Sequence, residues 1–135
     1  MENHETPLER MLRDAWHEPG LRPAFYKRLL DSEVLVPVEA QSEQLRTGKI
    51  EAGGLLHVVT LVRKDQVGVI PLFTSSKRVF EASPGGERCV VAIVREIFES
   101  RPDMHFYLNP YSRYGREFSP GDVQWLLATG GVVAG

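Results

Sequence analysis

The chain has 135 residues, 42% hydrophobic and 25% charged, with a formal net charge of -2. That is the size and balance of one domain with a proper core, and it excludes a disordered chain or a fibrous repeat. The sixteen Lys and Arg are scattered, and the lack of a basic excess argues against nucleic-acid binding by phosphate neutralisation. Cys89 is the single cysteine, so an intramolecular disulfide and an all-cysteine metal site are both excluded. No apolar run approaches the ~20 residues of a membrane span, and the opening MENHETPLER is polar, unlike a signal peptide. No membrane association is expected, and a reducing cytoplasm is the expected compartment.

Thr6-Pro7-Leu8-Glu9 has the form of a capping box with Pro7 at the first helical position, so a helix is expected to start there. Leu8, Met11, Leu12, Ala15 and Trp16 follow as an apolar stripe, with Glu9, Arg10, Arg13 and Asp14 facing water, and Pro19-Gly20 ends it. A second helix from about Pro23 to Leu30 turns Phe25 and Leu29 inward, with Tyr26 beside them, and completes an αα-hairpin placed to cover a sheet. Val34-Leu35-Val36-Pro37-Val38 alternates as a strand, but Pro37 removes a ladder donor and assigns it to a sheet edge or a bulge. Ala40 to Gly54 is polar and aperiodic and reads as a surface loop. Leu55 to Val62 reads as a strand covered on both faces, joined through Arg63-Lys64-Asp65-Gln66 to an antiparallel partner, Val67 to Phe73.

The stretch VGVIPLFTSS, residues 67–76, is the pivot: a buried strand that feeds directly into a helix cap. Thr74 or Ser75 is placed to cap a short helix through about Ala82, closed by Ser83-Pro84-Gly85-Gly86. Cys89 to Ser100 fits two patterns. CVVAIV reads as a strand, yet Val90, Ile93, Val94 and Ile97 match i, i+3, i+4, i+7 with Arg95, Glu96 and Glu99 off that stripe, and helix is the better match. Met104 to Leu108 is a strand, and Ser119-Pro120-Gly121-Asp122 opens a last helix carrying Val123, Leu126 and Leu127, stopped by Gly130-Gly131.

Helices between Val67 to Phe73 and Met104 to Leu108 form a crossover and make those two strands parallel. The expected fold is a single α/β (α+β) domain over residues 1–135. Residues 1–31 are the helical hairpin, 32–129 a mixed-sheet core of about four or five strands with helices packed on it, and 130–135 a tail. Parallel orientation places Phe73, Thr74 and Ser75 on one rim with Asn109, Pro110 and Tyr111, where open α/β sheets hold ligands.

The order VIPLFTSS, a helical spacer, FYLNPYS and then GREFSPGDVQWLL resembles the amino-terminal domain of the SseB family, named for enhanced serine sensitivity. A strand ending in Phe-Thr-Ser and a later strand ending in Asn-Pro are the marks of that family, and FYKRLLDSEVLVPVE is similar to its opening helix and first strand. The resemblance spans roughly Phe25 to Leu127. It implies a bacterial, cytoplasmic, non-enzymatic or accessory protein. By family association alone it implies a rhodanese-like sulfurtransferase as a partner. Many relatives carry a second, carboxy-terminal domain, and the resemblance implies no catalytic residues.

The residues themselves offer little chemistry. Cys89 follows Arg88 near the expected helix start, but a lone cysteine leading an apolar run is ordinarily a core residue, and no glycine-rich cradle follows it as a persulfide site requires. His4, His17, His57 and His105 show no metal spacing, and Ser75 and Ser76 lack a G-x-S-x-G elbow. No catalytic set, metal or cofactor is expected. Asn109-Pro110 has two readings. It is a turn in which Asn109 bonds its own backbone and Pro110 holds it extended, or Asn109, Thr74 and Ser75 line a polar crevice suited to an anion or a partner's carboxylate. Tyr111, Arg113, Tyr114 and Arg116 interleave as interface hot spots do, or they pack locally as a solvated loop. Two functions follow: a non-enzymatic protein-interaction or regulatory module, or a small-ligand or anion-binding domain at the rim of Phe73, Thr74, Ser75 and Asn109.

Overall fold

The computed structural model describes residues 5–38, 61–62, 65–83 and 88–131. Helix α1 (Pro7–His17) opens on the expected capping box: the Glu9 amide donates to Thr6 Oγ1 at 3.1 Å and the Thr6 amide donates to Glu9 Oε1 at 2.8 Å. A 3₁₀ turn at Pro19–Leu21 reverses the chain into α2 (Arg22–Leu30). Strand β1 (Glu33–Pro37) follows, then β2 (Leu61–Val62), β3 (Gly68–Leu72) and helix α3 (Ser76–Ala82). Strand β4 (Cys89–Ile93) passes directly into α4 (Val94–Ser100), and β5 (His105–Leu108), β6 (Arg116–Phe118) and α5 (Pro120–Thr129) complete the chain. Helix α5 repeats the capping box with Ser119 and Asp122, and it ends on Gly130 at φ 69°, whose N–H reaches Leu126 O at 2.8 Å.

The larger sheet has the order β2-β3-β5-β6 and is mixed. β3 and β5 are parallel, from Val69 opposite His105 to Leu72 opposite Leu108, while β2 and β6 pair antiparallel with β3 and β5. β1 and β4 form a separate antiparallel ribbon, tied to β3 by reciprocal hydrogen bonds between Leu35 and Phe73 at 2.7 and 2.9 Å. The α+β class is as expected, with the strands divided between two sheets. Pro37 sits where its missing donor does no harm. Val38 donates to Arg88 O on the β4 side and Leu35 bonds Phe73 on the other, so strand alternation turns Pro37 away from β4.

Residues 89–93 are a strand, which overturns the helical reading of Cys89 to Ser100. Val90 and Ala92 are buried while Val91 and Ile93 are exposed, a period of two. The helical count was satisfied because Val94 and Ile97 belong to the real helix α4 and Val90 fits either period. What decides is β1, fifty-odd residues earlier, which supplies the ladder. β6 was not foreseen at all, because its three residues are too short to show alternation. Of the expected strand Leu55 to Val62 only Leu61 and Val62 are described. The loop Ala40 to Gly54, His4, His57 and the tail Val132 to Gly135 lie outside the described residues.

One face of the larger sheet carries Ile70, Leu72, Phe106, Leu108 and Phe118, all buried against α1, α2, α4 and α5. Phe98 anchors this core, 4.9 Å from the Phe106 ring and 5.9 Å from Phe118. Each such side chain contributes roughly 1.5–3 kcal/mol by leaving water, which fixes how α1 lies over the strand ends. Leu8, Leu12 and Ala15 deliver the expected stripe of α1, but Trp16 is 49% exposed and Glu9, expected in water, is 4% exposed. Among the described residues no helix is long and apolar enough to cross a membrane.

Candidate functional site

The parallel pair β3 and β5 brings Thr74 and Asn109 to the same rim, as the sequence predicts. Asn109 extends the ladder by one rung, its N–H donating to Leu72 O at 2.7 Å. Its backbone then turns into the left-handed region, φ 52°, followed by Tyr111 at φ 66°. Asn109 is therefore not extended, and its side chain does not serve its own backbone. Its Oδ1 accepts from the Thr74 amide at 3.0 Å and its Nδ2 donates to Thr74 Oγ1 at 2.9 Å, locking the two strand ends together. The turn beyond is closed by Ser112, whose amide and hydroxyl both donate to Asn109 O at 3.2 and 2.7 Å.

A buried carboxylate fills the crevice that these groups form. Glu9 Oε2 accepts from the Thr74 hydroxyl, from the Ser75 hydroxyl at 3.1 Å and from Arg78 Nε at 3.0 Å, while Oε1 takes the Thr6 amide. Neither Thr74 nor Ser75 caps α3 through its side chain, contrary to expectation. Ser75 holds the N-cap position with no side-chain bond to the helix, because an ionised acceptor competes better for a hydroxyl than the amides of a seven-residue helix. Burial alone would push the Glu9 carboxyl up, but the Thr74 hydroxyl, the Thr6 amide and the Arg78 charge outweigh it, and Glu9 stays below its ordinary range. A carboxylate held there is a weak base, poorly suited to activate the hydroxyls it binds. Asn109, Thr74 and Ser75 do line an anion crevice, and the anion is the protein's own. Phe73 lies buried behind them at the bridge to β1.

The segment 111–116 divides. Tyr111 is 76% exposed. Arg113 lies over the Tyr114 ring, 5.4 Å from its centroid, and Tyr114 meets Trp16 at 6.2 Å and His17 at 5.5 Å from α1, with its hydroxyl 3.4 Å from His17 Nε2. Arg116 belongs elsewhere: on β6, it packs over Tyr26 and Phe118 at 5.4 and 5.5 Å. Arg113 and Tyr114 are thus gathered with Trp16 and His17, Tyr111 stands exposed two residues before Arg113, and Arg116 is not part of the group. Between α1, α3 and this turn lies a cleft of about 280 Å³ walled by Glu5, Glu9, Arg13, Arg78, Arg113 and Tyr114. Sequence reasoning missed Glu9, Arg13, Trp16 and Arg78 as members of the site.

Cys89 lies half-buried at the start of β4 opposite Pro37, not at a helix N-terminus. His105 Nδ1 lies 3.8 Å from Glu117 Oε1, and no group of three or more His, Cys, Asp or Glu among the described residues is placed to hold a metal.

A family model described as the SseB protein N-terminal domain matches residues 8–125. Protein SseB of Escherichia coli (strain K12) and Protein SseB of Shigella flexneri are each 33% identical to the chain over 132 residues, 97% of this chain and 49% of theirs. The chain spans about half the length of these curated relatives. No solved structure gives a significant match.

Proposed function

Because the chain belongs to the SseB family, whose name carries no reaction with it, we propose from the surface chemistry that it is a non-enzymatic protein-interaction module working in the cytoplasm. The observation that carries this reading is the set of exposed side chains Trp16, Tyr111 and Arg113, with Trp16 and Arg113 both set against the half-buried Tyr114 ring. Trp, Tyr and Arg dominate interface hot spots: Trp and Tyr bring large contact area with only two rotatable bonds, and Arg brings a planar fork of hydrogen-bond donors. Here they are held ready by ring contacts between α1 and the 111–114 turn, so little ordering remains to be done on binding. The alternative, a small-anion domain at Thr74, Ser75 and Asn109, has less support because the hydroxyls and Arg78 already serve Glu9.

The first partner to try is the class that family association implies, a rhodanese-like sulfurtransferase. Tagged chain and its Tyr111→Ala, Arg113→Ala double variant, both shown folded by circular dichroism, are compared in affinity capture from bacterial lysate. The wild type is expected to retain a partner that the variant loses by tenfold or more, about 1.4 kcal/mol or greater, within the range of hot-spot truncations. Equal retention by both would assign the interaction to some other surface.

A further inference from the structure

The cleft beside the Tyr114 ring has one guanidinium that no described carboxylate holds, and that guanidinium names a ligand class. Three arginines line it, Arg13, Arg78 and Arg113, together with two carboxylates, Glu5 and Glu9. The three arginines are not equivalent. Arg78 is 18% exposed and committed twice over, with Nε on Glu9 at 3.0 Å and Nη1 on Glu81 at 2.8 Å. Arg13, 34% exposed, holds Glu5 at 2.7 Å through Nη1 and lies 3.6 Å from Asp14 through Nε. Arg113 is exposed and stacked on Tyr114, and among the described residues no carboxylate lies within ion-pair distance of it. Stacking leaves the planar N–H edge of a guanidinium open while fixing its orientation, which is the arrangement that receives a carboxylate in bidentate fashion with the least loss of side-chain freedom.

We propose that this cleft receives a carboxylate side chain of an acidic partner segment, held by Arg113 with Arg13 on the facing wall, while a neighbouring aromatic or aliphatic residue of that segment rests on Trp16 and Tyr114. This deepens the interaction reading above and rests on it. One carboxylate matches the one guanidinium of the cleft, Arg113, that is not already held by a carboxylate. A phosphate dianion or a nucleic-acid backbone brings more negative charge than one free guanidinium answers, beside the Glu5 and Glu9 already in the walls. The exposed Trp16 ring, 6.2 Å from the Tyr114 ring that lines the cleft, calls for an apolar neighbour to the acid, which a free small anion does not supply.

The test is a ¹H–¹⁵N chemical-shift titration of the whole chain with the blocked tetrapeptide acetyl-Gly-Glu-Phe-Gly-amide, beside its isosteric Gln counterpart and inorganic phosphate. The acidic peptide is expected to shift the Arg113 and Arg13 Nε–H signals and the Trp16 indole N–H at millimolar concentration. The amide peptide and the R113A variant are expected to bind about tenfold more weakly or worse, and the acidic peptide's affinity should fall with added salt. Equal binding of acidic and amide peptides, undiminished binding to R113A, phosphate producing the same shifts, or no movement of these signals would each overturn the proposal. If lysate capture depends on Tyr111 and Arg113 but the acidic peptide fails, the interaction surface stands and only its carboxylate chemistry falls.

Discussion

Replacing Glu9 by alanine is expected to lower stability by roughly 3 kcal/mol, the range seen when one member of a buried charged network is removed. The substitution strands the Thr74 and Ser75 hydroxyls and the Thr6 amide at once and opens the capping box of α1. Arg78 keeps Glu81, which limits the loss. Glu9→Gln preserves the shape and one acceptor but brings an amide N–H₂ toward Thr74 and Arg78, so an intermediate loss is expected. The same group makes stability depend on pH. Its folded carboxyl titrates below its ordinary 4.5, so its contribution is fully present above that value and is lost as the pH falls through the lower, folded value. Urea midpoints at pH 7 and pH 3 read both effects. The wild type should lose stability between them, with the E9A variant less stable at pH 7 and flatter across the interval. An E9A midpoint equal to wild type at pH 7 would mean that the carboxylate does not hold the rim.

Alanine at Gly115 is the second large effect. A Cβ there would stand 2.8 Å from Asn109 O, 2.8 Å from Tyr107 Cε1 and 3.2 Å from Leu108 O. Two of those three atoms are backbone, and they belong to the strand end and turn that carry Asn109, so the turn itself must move. We expect a loss of roughly 2–3 kcal/mol, a midpoint of thermal unfolding some 5–10 °C lower, and weakened partner capture because Arg113 and Tyr114 ride on the displaced segment. Gly20→Ala is the control, since a Cβ at Gly20 meets nothing within 4 Å. Wild-type stability and capture in Gly115→Ala would show that the turn tolerates displacement and does not set the surface.

Both effects rest on contacts between residues far apart in sequence, and that is where the sequence stopped being informative. Local signals read true: the Thr6 and Ser119 caps, the Pro19-Gly20 stop and the Gly130-Gly131 stop. The parallel orientation of Val67 to Phe73 and Met104 to Leu108 held as well, although part of the segment between them is strand β4 and not helix. The Thr6-to-Glu9 spacing even exposed the cap in which Glu9 takes part. It could not expose that the other oxygen of the same carboxylate meets Thr74, 65 positions away. Helical spacing put Glu9 on the wet face, yet burial follows its partners and not its position on the wheel. Cys89 to Ile93 failed for the same reason, with β1 as the unseen partner. The interleaved tyrosines and arginines of 111–116 gave no sign that the start of β6 would withdraw Arg116 toward Tyr26 or that α1 would set Trp16 against Tyr114.

The central claim is that the surface around Tyr111, Arg113 and Trp16 is where this protein meets its partner. Site-specific photo-cross-linking tests it most directly: a photoreactive phenylalanine analogue is placed at Tyr111 in living bacteria, and at Val91, an exposed apolar position on β4, for comparison. A discrete protein adduct from position 111 and none from position 91 is the predicted result. Adducts from position 91 alone, or none from position 111, would contradict it.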